Sequence, residues 1–191
     1  MTRVIVNSLG RNADLVNRLH TALSRLWPAT AIDSAGVADA VARILVRVPG
    51  SGGIRAIEFW GHGRPGAMSV GDEELTPESF EPDHPHAREL TRLLPHLHEE
   101  ASIAFVGCQT FAGADGKRLA RAAASFFGRS ITVVGHTRMI GYNLDWGGIA
   151  RLCAGAEPAW PDTDPSNKAP KKAAVHAGWR RLRAVVIRLA G

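Results

Sequence analysis

The stretch IEFWGHGRPG, residues 57–66, runs from an apolar segment straight into Gly61-His62-Gly63. With the three residues before it, the segment 54–62 has the composition of a buried strand. A buried histidine with a structural role does not need a glycine on each side. A histidine that meets a substrate or a second reactive group does, because the backbone around it must approach that group closely. We therefore interpret 54–62 as a strand that carries His62 to an edge of the fold where chemistry takes place.

Similar apolar segments recur along the first 150 residues and alternate with helical patterns. The strand-like segments are 3–7, 30–33, 54–62, 102–108 and 130–136, and the helical patterns are 12–27, 35–48, 86–97 and 113–127. Residues 63–72 resemble a tight turn or a small hairpin, and Pro95 interrupts the third helical pattern. This alternation predicts a three-layer α/β/α fold, in which helices cover both faces of a mostly parallel sheet.

The first helical pattern has a leucine stripe and a candidate N-cap. Leu15, Leu19, Leu23 and Leu26 are at helical spacing, and Asn12 precedes them.

Three segments are expected in the 191 residues. Residues 1–155 form one α/β domain, and residues 156–170, rich in Pro, Asp and Ala, form a linker. Residues 171–191 form a basic amphipathic helix. Its apolar stripe consists of Val175, Trp179, Leu182, Val186 and Leu189.

The net charge of +5 is concentrated at one end of the sequence. Residues 168–191 contain seven basic and no acidic residues, so the other 167 residues carry −2 (+5 less +7). A nucleic-acid-binding domain normally spreads its Lys and Arg over a folded face, so this distribution argues against nucleic acid as a partner. The basic helix at 171–191 fits an anionic membrane surface, a groove in a partner protein, or the domain itself.

The apolar segments are too short to span a bilayer, and the N-terminal residues lack the pattern of a secretory signal. We therefore expect a cytoplasmic protein. Its two cysteines, Cys108 and Cys153, are too few for a disulfide framework, so their reactivity is the relevant property.

His62 and Cys108 each end a predicted strand of the parallel sheet, and ligands bind beyond the carboxyl ends of such strands. If the two strands are neighbours, the two side chains form a dyad in which the imidazole takes the proton of the attacking thiol. The tetrahedral oxyanion formed by that attack requires N–H donors. The backbone N–H groups of Gly63 and Cys108 are the candidates.

These motifs resemble the caspase-like cysteine peptidases (the caspase, gingipain and CHAT type), and the bacterial members most closely. The resemblance rests on a strand ending in His-Gly, a glycine-bearing hairpin, a strand ending in Gly-Cys, and a histidine 46 residues before the cysteine, and it covers about residues 54–137. It implies a caspase-like fold with His62 as general base, Cys108 as nucleophile and Gly63 as an oxyanion donor. The reaction would be hydrolysis of a protein or peptide substrate, with no metal or organic cofactor. The Gln-Ala-Cys-x-Gly of the caspases proper is replaced by VGCQT, so no caspase-type substrate preference is implied.

Alternatives remain open at this stage. The same fold with a silent dyad would serve as a recognition or regulatory module, since fold alone does not establish function. An α/β-hydrolase is set aside because Val106 and Thr110 occupy the positions of the two glycines in its nucleophile elbow.

Several other polar residues have candidate roles. Glu58 alternates with His62 and either orients the imidazole or makes a local hydrogen bond, the latter being favoured. His136 ends the fifth strand and lines the same site or is structural, and Cys153 is expected to be inert. Arg11 and Arg138 follow strand ends and are candidates for a pocket that binds an acidic P1 side chain. Two His-x-His pairs suggest a metal site, but their surroundings favour solvated loops; they are His84/His86 and His96/His98.

Overall fold

The protein is described by a computed structural model over residues 2–11, 13–25, 29–48, 50–128, 130–137 and 149–152. Strands and helices alternate over most of this length. In chain order the elements are β1 (Thr2–Ser8), α1 (Leu15–Ser24), β2 (Thr30–Ser34), α2 (Val37–Arg47), β3 (Ile54–Trp60), β4 (Gly63–Arg64), β5 (Ala67–Val70), β6 (Glu73–Leu75), α3 (Pro85–Thr91), β7 (Leu97–Val106), α4 (Gly113–Phe127), β8 (Thr132–His136) and β9 (Ile149–Leu152). Short 3-10 turns lie at Pro77–Phe80 and Leu94–His96.

The central sheet has the strand order β2-β1-β3-β7-β8-β9. Its first five strands are parallel, and β9 pairs antiparallel with β8. The prediction of a mostly parallel sheet between helices is confirmed, because parallel neighbours require crossover connections and the helices supply them.

The larger core lies on one face of this sheet. Val6, Phe59 and Phe105 point from the central strands into it, together with apolar residues of α2, α3 and α4. The period of two along each strand places every second residue on this face.

The opposite face of the sheet faces α1. The side chains of Ile5, Trp60 and Val106 form a second, smaller apolar cluster there. The amide nitrogen of Asn7 on β1 donates to the Ser24 hydroxyl at the end of α1 (2.9 Å), which ties the helix to this face. Helices therefore lie on both faces, giving the three-layer α/β/α arrangement.

The start of α1 differs from the expectation. The backbone N–H of Asn17 donates to Asp14 Oδ1 (3.0 Å), and that of Arg18 donates to the Asp14 carbonyl (3.1 Å), so Asp14 is the N-cap. Asn12, the expected N-cap, lies outside the described residues. Leu15, the first leucine at helical spacing, opens the helix at the molecular surface and is 79% exposed.

The third helix is shorter than the pattern at 86–97. It ends at Thr91, and a 3-10 turn containing Pro95 follows before β7. Proline lacks the N–H that would continue the helix and disfavours helical geometry at the residue before it. The turn predicted at 63–72 is the start of a three-stranded antiparallel sheet, β4-β5-β6.

No helix within the described ranges is both long and apolar enough to cross a bilayer. The predicted linker at 156–170 and basic helix at 171–191 lie outside those ranges, so their structure stays a prediction.

Candidate functional site

Strands β3 and β7 are neighbours in register, and this brings the two motif-bearing segments together. Trp60 pairs with Val106 at the carboxyl ends of the strands. The N–H of Gly61 then donates to the Val106 carbonyl (3.3 Å). His62 and Cys108 each lie two residues beyond this last pair, and the ring of His62 contacts the start of α1.

The backbones beyond these strands touch. A methyl group placed on Gly63 would lie 2.7 Å from the Cys108 carbonyl oxygen and 2.5 Å from Thr110 Cγ2. One placed on Gly107 would lie 3.1 Å from the Gly61 carbonyl oxygen. At both positions a side chain would press on the facing segment, so the absence of a side chain allows this close approach.

The pairing of β4 and β5 sets the direction of the Gly63 N–H. His62 and Ser69 form a hydrogen-bonded position, with the Ser69 N–H donating to the His62 carbonyl (2.8 Å). Gly63 and Met68 form the next pair along the ladder. Because such pairs alternate in an antiparallel ladder, the Gly63 N–H is directed away from β5. The Gly63 N–H is therefore not used in the pairing of β4 with β5.

The turn after Cys108 is in an unusual conformation. Gln109 has a φ of 58°, and among the described residues it is the only non-glycine with a positive φ. The turn closes through the Ala112 N–H, which donates to the Gln109 carbonyl (2.8 Å), and is anchored through the Phe111 N–H to the His136 carbonyl (2.9 Å). Left-handed residues of this kind are enriched at functional sites, where the surrounding structure holds them in place.

The two candidate side chains differ in exposure. Cys108 is half-buried, and the His62 side chain is 51% exposed. Both are thus within reach of a molecule at the surface.

The partner of the His62 ring is Asp14, a residue that sequence reasoning missed. His62 Nε2 and Asp14 Oδ2 are 3.0 Å apart. Asp14 is 48 positions away, at the N-cap of α1. In the sequence, Asp14 could have been recognised only as an acidic residue near the start of the first helix, where Asn12 was taken as the N-cap.

The suggestion that Glu58 orients His62 is wrong. The favoured local hydrogen bond is confirmed by Trp60, and a long-range ion pair with Arg3 accompanies it. Glu58 accepts two hydrogen bonds from the Arg3 guanidinium (2.7 and 2.9 Å) and one from Trp60 Nε1 (3.0 Å). The Glu58 side chain is only 10% exposed, and these donors offset the loss of hydration of its carboxylate.

A family model described as a domain of unknown function (DUF4347) matches residues 9–147, which is most of the chain. The chain belongs to the DUF4347 family. The match takes in Asp14, His62 and Cys108. No curated protein and no solved structure gives a significant match.

Other residues singled out from the sequence lie elsewhere in this DUF4347 domain or outside the described ranges. His136 is 2% exposed at the end of β8, which agrees with a structural role. Arg11 is exposed, and its backbone N–H donates to Asp72 Oδ1 (2.8 Å). Arg138 and Cys153 lie outside the described residues, so the proposed P1 pocket and the inertness of Cys153 stay predictions.

The two His-x-His pairs have separate roles in the backbone. His84 caps α3, with Nδ1 accepting the His86 N–H (3.1 Å), and His96 Nδ1 lies 2.7 Å from the Gly50 carbonyl oxygen. In the part of the chain that the structure describes, no three His, Cys, Asp or Glu side chains are placed to hold a metal ion.

His86 has a shifted pKa. Burial is the largest cause and lowers the pKa from 6.5; His84 lowers it further, and Glu73 opposes the shift. The Glu73 carboxylate lies 3.4 Å from His86 Nε2 and also accepts the Val37 N–H at the start of α2 (2.7 Å). His86 is therefore coupled to the packing of the small sheet against α2.

Proposed function

We propose that this DUF4347 domain is a cysteine peptidase that uses His62 and Cys108. The observation that carries the proposal is the contact between the Gly61–Gly63 and Gly107–Thr110 segments, at the carboxyl ends of neighbouring parallel strands. Sites in such sheets form at this edge. The resemblance of residues 54–137 to the caspase-like peptidases points to the same two residues.

The reaction begins with attack of Cys108 Sγ on the carbonyl carbon of a peptide bond. The thiol proton passes to His62, and the electron pair of the carbonyl moves to oxygen. The oxyanion is held by the N–H groups of Gly63 and Cys108. Collapse of the tetrahedral intermediate breaks the C–N bond, and His62 returns the proton to the leaving amine.

Hydrolysis of the resulting thioester completes the cycle. A water molecule gives its proton to His62 and attacks the acyl carbon. The C–S bond then breaks, releasing the carboxylic acid and restoring the thiol as His62 returns the proton. The sequence of steps requires a protein or peptide substrate and no redox partner. A cytoplasmic site of action remains part of the proposal.

The test uses an electrophilic thiol probe on the full chain. Probe labelling of Cys108 should fall at least about tenfold in His62→Ala, while Cys153 labels at the same slow rate in both proteins. Cys153→Ser is the matched control and should leave the signal of the native protein unchanged. A fluorogenic peptide library should then show turnover that Cys108→Ala abolishes. Equal labelling of both cysteines regardless of His62 would contradict the proposal.

A second candidate is a recognition module with a silent dyad. The observation in its favour is a cavity of about 520 Å³ between β2 and α2, which is separate from the dyad because β1 lies between β2 and β3. Arg25, Asp33, Asp39, Arg43 and Arg47 supply its charged lining. This candidate would be favoured if Cys108 labelled at the same rate in the native protein and in His62→Ala, and if no peptide were hydrolysed. A partner protein or an anionic membrane surface would then be sought for residues 171–191 as well.

A further inference from the structure

We propose that Asp14 is the positioning residue of the site: it holds His62 as the Nε2–H tautomer and leaves Nδ1 as the nitrogen that takes the proton of the Cys108 thiol. This inference rests on the proposed function and adds a third member to the dyad. The observation behind it is the 3.0 Å contact between Asp14 Oδ2 and His62 Nε2.

The tautomer follows from the chemistry of the two groups. An ionised carboxylate only accepts hydrogen bonds, so a neutral imidazole that faces it must carry its proton on the facing nitrogen. His62 Nε2 faces Asp14, and Nδ1 then holds the lone pair. A general base needs that lone pair toward the proton it removes.

The two oxygens of Asp14 have different partners, which fixes the carboxylate in place. Oδ1 accepts the Asn17 N–H in the first turn of α1, while Oδ2 faces the imidazole. The positive end of a helix stabilises an anion at this position. The carboxylate is therefore oriented by the first turn of α1, with Oδ2 placed to accept a hydrogen bond from Nε2–H.

The loop that leads to Asp14 is anchored to the same small sheet that carries His62. The Arg11 N–H donates to Asp72 Oδ1 (2.8 Å), and the Ala13 N–H donates to the Gly10 carbonyl (3.1 Å). Asp72 lies between β5 and β6, and His62 immediately precedes β4 of that sheet. Asp14 and His62 thus share one support, which keeps their separation fixed.

The pair contributes little to folding, because both side chains are about half exposed and such pairs are screened by water. Helix capping accounts for the Asn17 contact of Asp14, and orientation of a reactive imidazole accounts for its contact with His62.

Asp14→Asn tests the proposal because it separates the two contacts of the carboxylate. Asparagine caps a helix as well as aspartate does, so the Asn17 contact survives. Its second polar atom is an NH₂ group, which cannot accept the proton of Nε2. The matched control is Glu89→Gln, which removes the charge of another carboxylate on a helix, one that pairs with Arg92 (2.6 Å) rather than with a histidine.

Two measurements are made on the full chain: the rate at which iodoacetamide alkylates Cys108, and the ¹⁵N chemical shifts of the His62 ring. Asp14→Asn should slow alkylation at least about tenfold with an unchanged thermal midpoint, and should shift the ring population away from the Nε2–H form. Glu89→Gln should do neither. A native ring in the Nδ1–H form, or an Asp14→Asn variant that reacts like the native protein, would overturn the inference.

His62→Ala distinguishes failure of this inference from failure of the proposed function. If His62→Ala slows alkylation and Asp14→Asn does not, the dyad stands and Asp14 is only a helix cap. If His62→Ala has no effect on alkylation, the peptidase proposal fails. The tautomer of the His62 ring in the native protein then still shows whether Asp14 accepts a hydrogen bond from Nε2–H.

Discussion

Gly63 packs against the peptide carbonyl of Cys108 so closely that a methyl group on its Cα would lie 2.7 Å from that oxygen. The atoms on the other side of this contact are backbone, which cannot rotate away as the end of a side chain can. The approach of the two motif-bearing segments therefore depends on the absence of a side chain at position 63.

Gly63→Ala is expected to lower the free energy of unfolding by about 2 kcal/mol, in the range of other overpacked sites. The control is Gly53→Ala, whose added methyl meets its nearest atom, Val48 Cγ1, at an ordinary 3.6 Å. That change should stay within about 0.5 kcal/mol. Urea unfolding followed by circular dichroism measures both, and equal effects would contradict the close contact.

At position 109, glycine should give a more stable protein than alanine. Both substitutions remove the glutamine side chain, so the difference between them reports the backbone alone. With φ at 58°, Gln109→Gly should be more stable to unfolding than Gln109→Ala by about 1 kcal/mol. The control is the pair Ser125→Gly and Ser125→Ala in α4. At an ordinary helical position the glycine variant should be the less stable of the two, so the difference has the opposite sign. Chemical denaturation of the four variants decides the point.

Glu58→Ala should destabilise the fold without changing the reactivity of the thiol. The change leaves the Arg3 guanidinium and the Trp60 indole N–H without their carboxylate, at an expected cost of about 2–3 kcal/mol. The control Glu74→Ala removes an exposed carboxylate that pairs with Arg64 and should cost at most about 1 kcal/mol.

The rate of Cys108 alkylation, measured well below the thermal midpoint, should be the same in Glu58→Ala and the native protein. A loss of reactivity equal to that of Asp14→Asn would mean that Glu58 also acts on His62.

His86 should make the protein less stable in acid. Burial lowers its pKa from 6.5 in the folded state, so the unfolded chain binds the proton more readily. The stabilisation from the neutral ring is complete above pH 6.5 and is lost as the pH falls through the folded-state pKa. The thermal midpoint of His86→Gln should therefore fall less than that of the native protein between pH 7.5 and pH 5.5.

Glu73→Gln provides the opposite arm of this experiment, because Glu73 raises the pKa of His86 and glutamine retains an acceptor for the Val37 N–H. Removing the charge should steepen the acid-dependent loss of stability. An acid dependence that is identical in all three proteins would exclude His86 as its source.

The sequence was sufficient for the sheet and for most of its strands. Apolar runs such as SIAFV at 102–106, bounded by glycine and polar residues, favour buried parallel strands because both faces of each strand need cover. The bounds of α4 also follow directly, since 113–127 is an uninterrupted helical pattern. The end of α3 at Thr91 follows from Pro95, because the proline lacks the N–H that would bond to the carbonyl four residues earlier in a continued helix.

By itself, then, the sequence determined that strands and helices alternate and that His62 and Cys108 each follow a strand, because those properties depend on residues within one segment. Only the tertiary structure decided that β3 and β7 are neighbours in register, that Glu58 pairs with Arg3, and that Asp14 reaches His62. These are contacts between residues far apart in the chain, for which local periodicity carries no information. They are set by the order of strands in the sheet and by the face on which α1 packs.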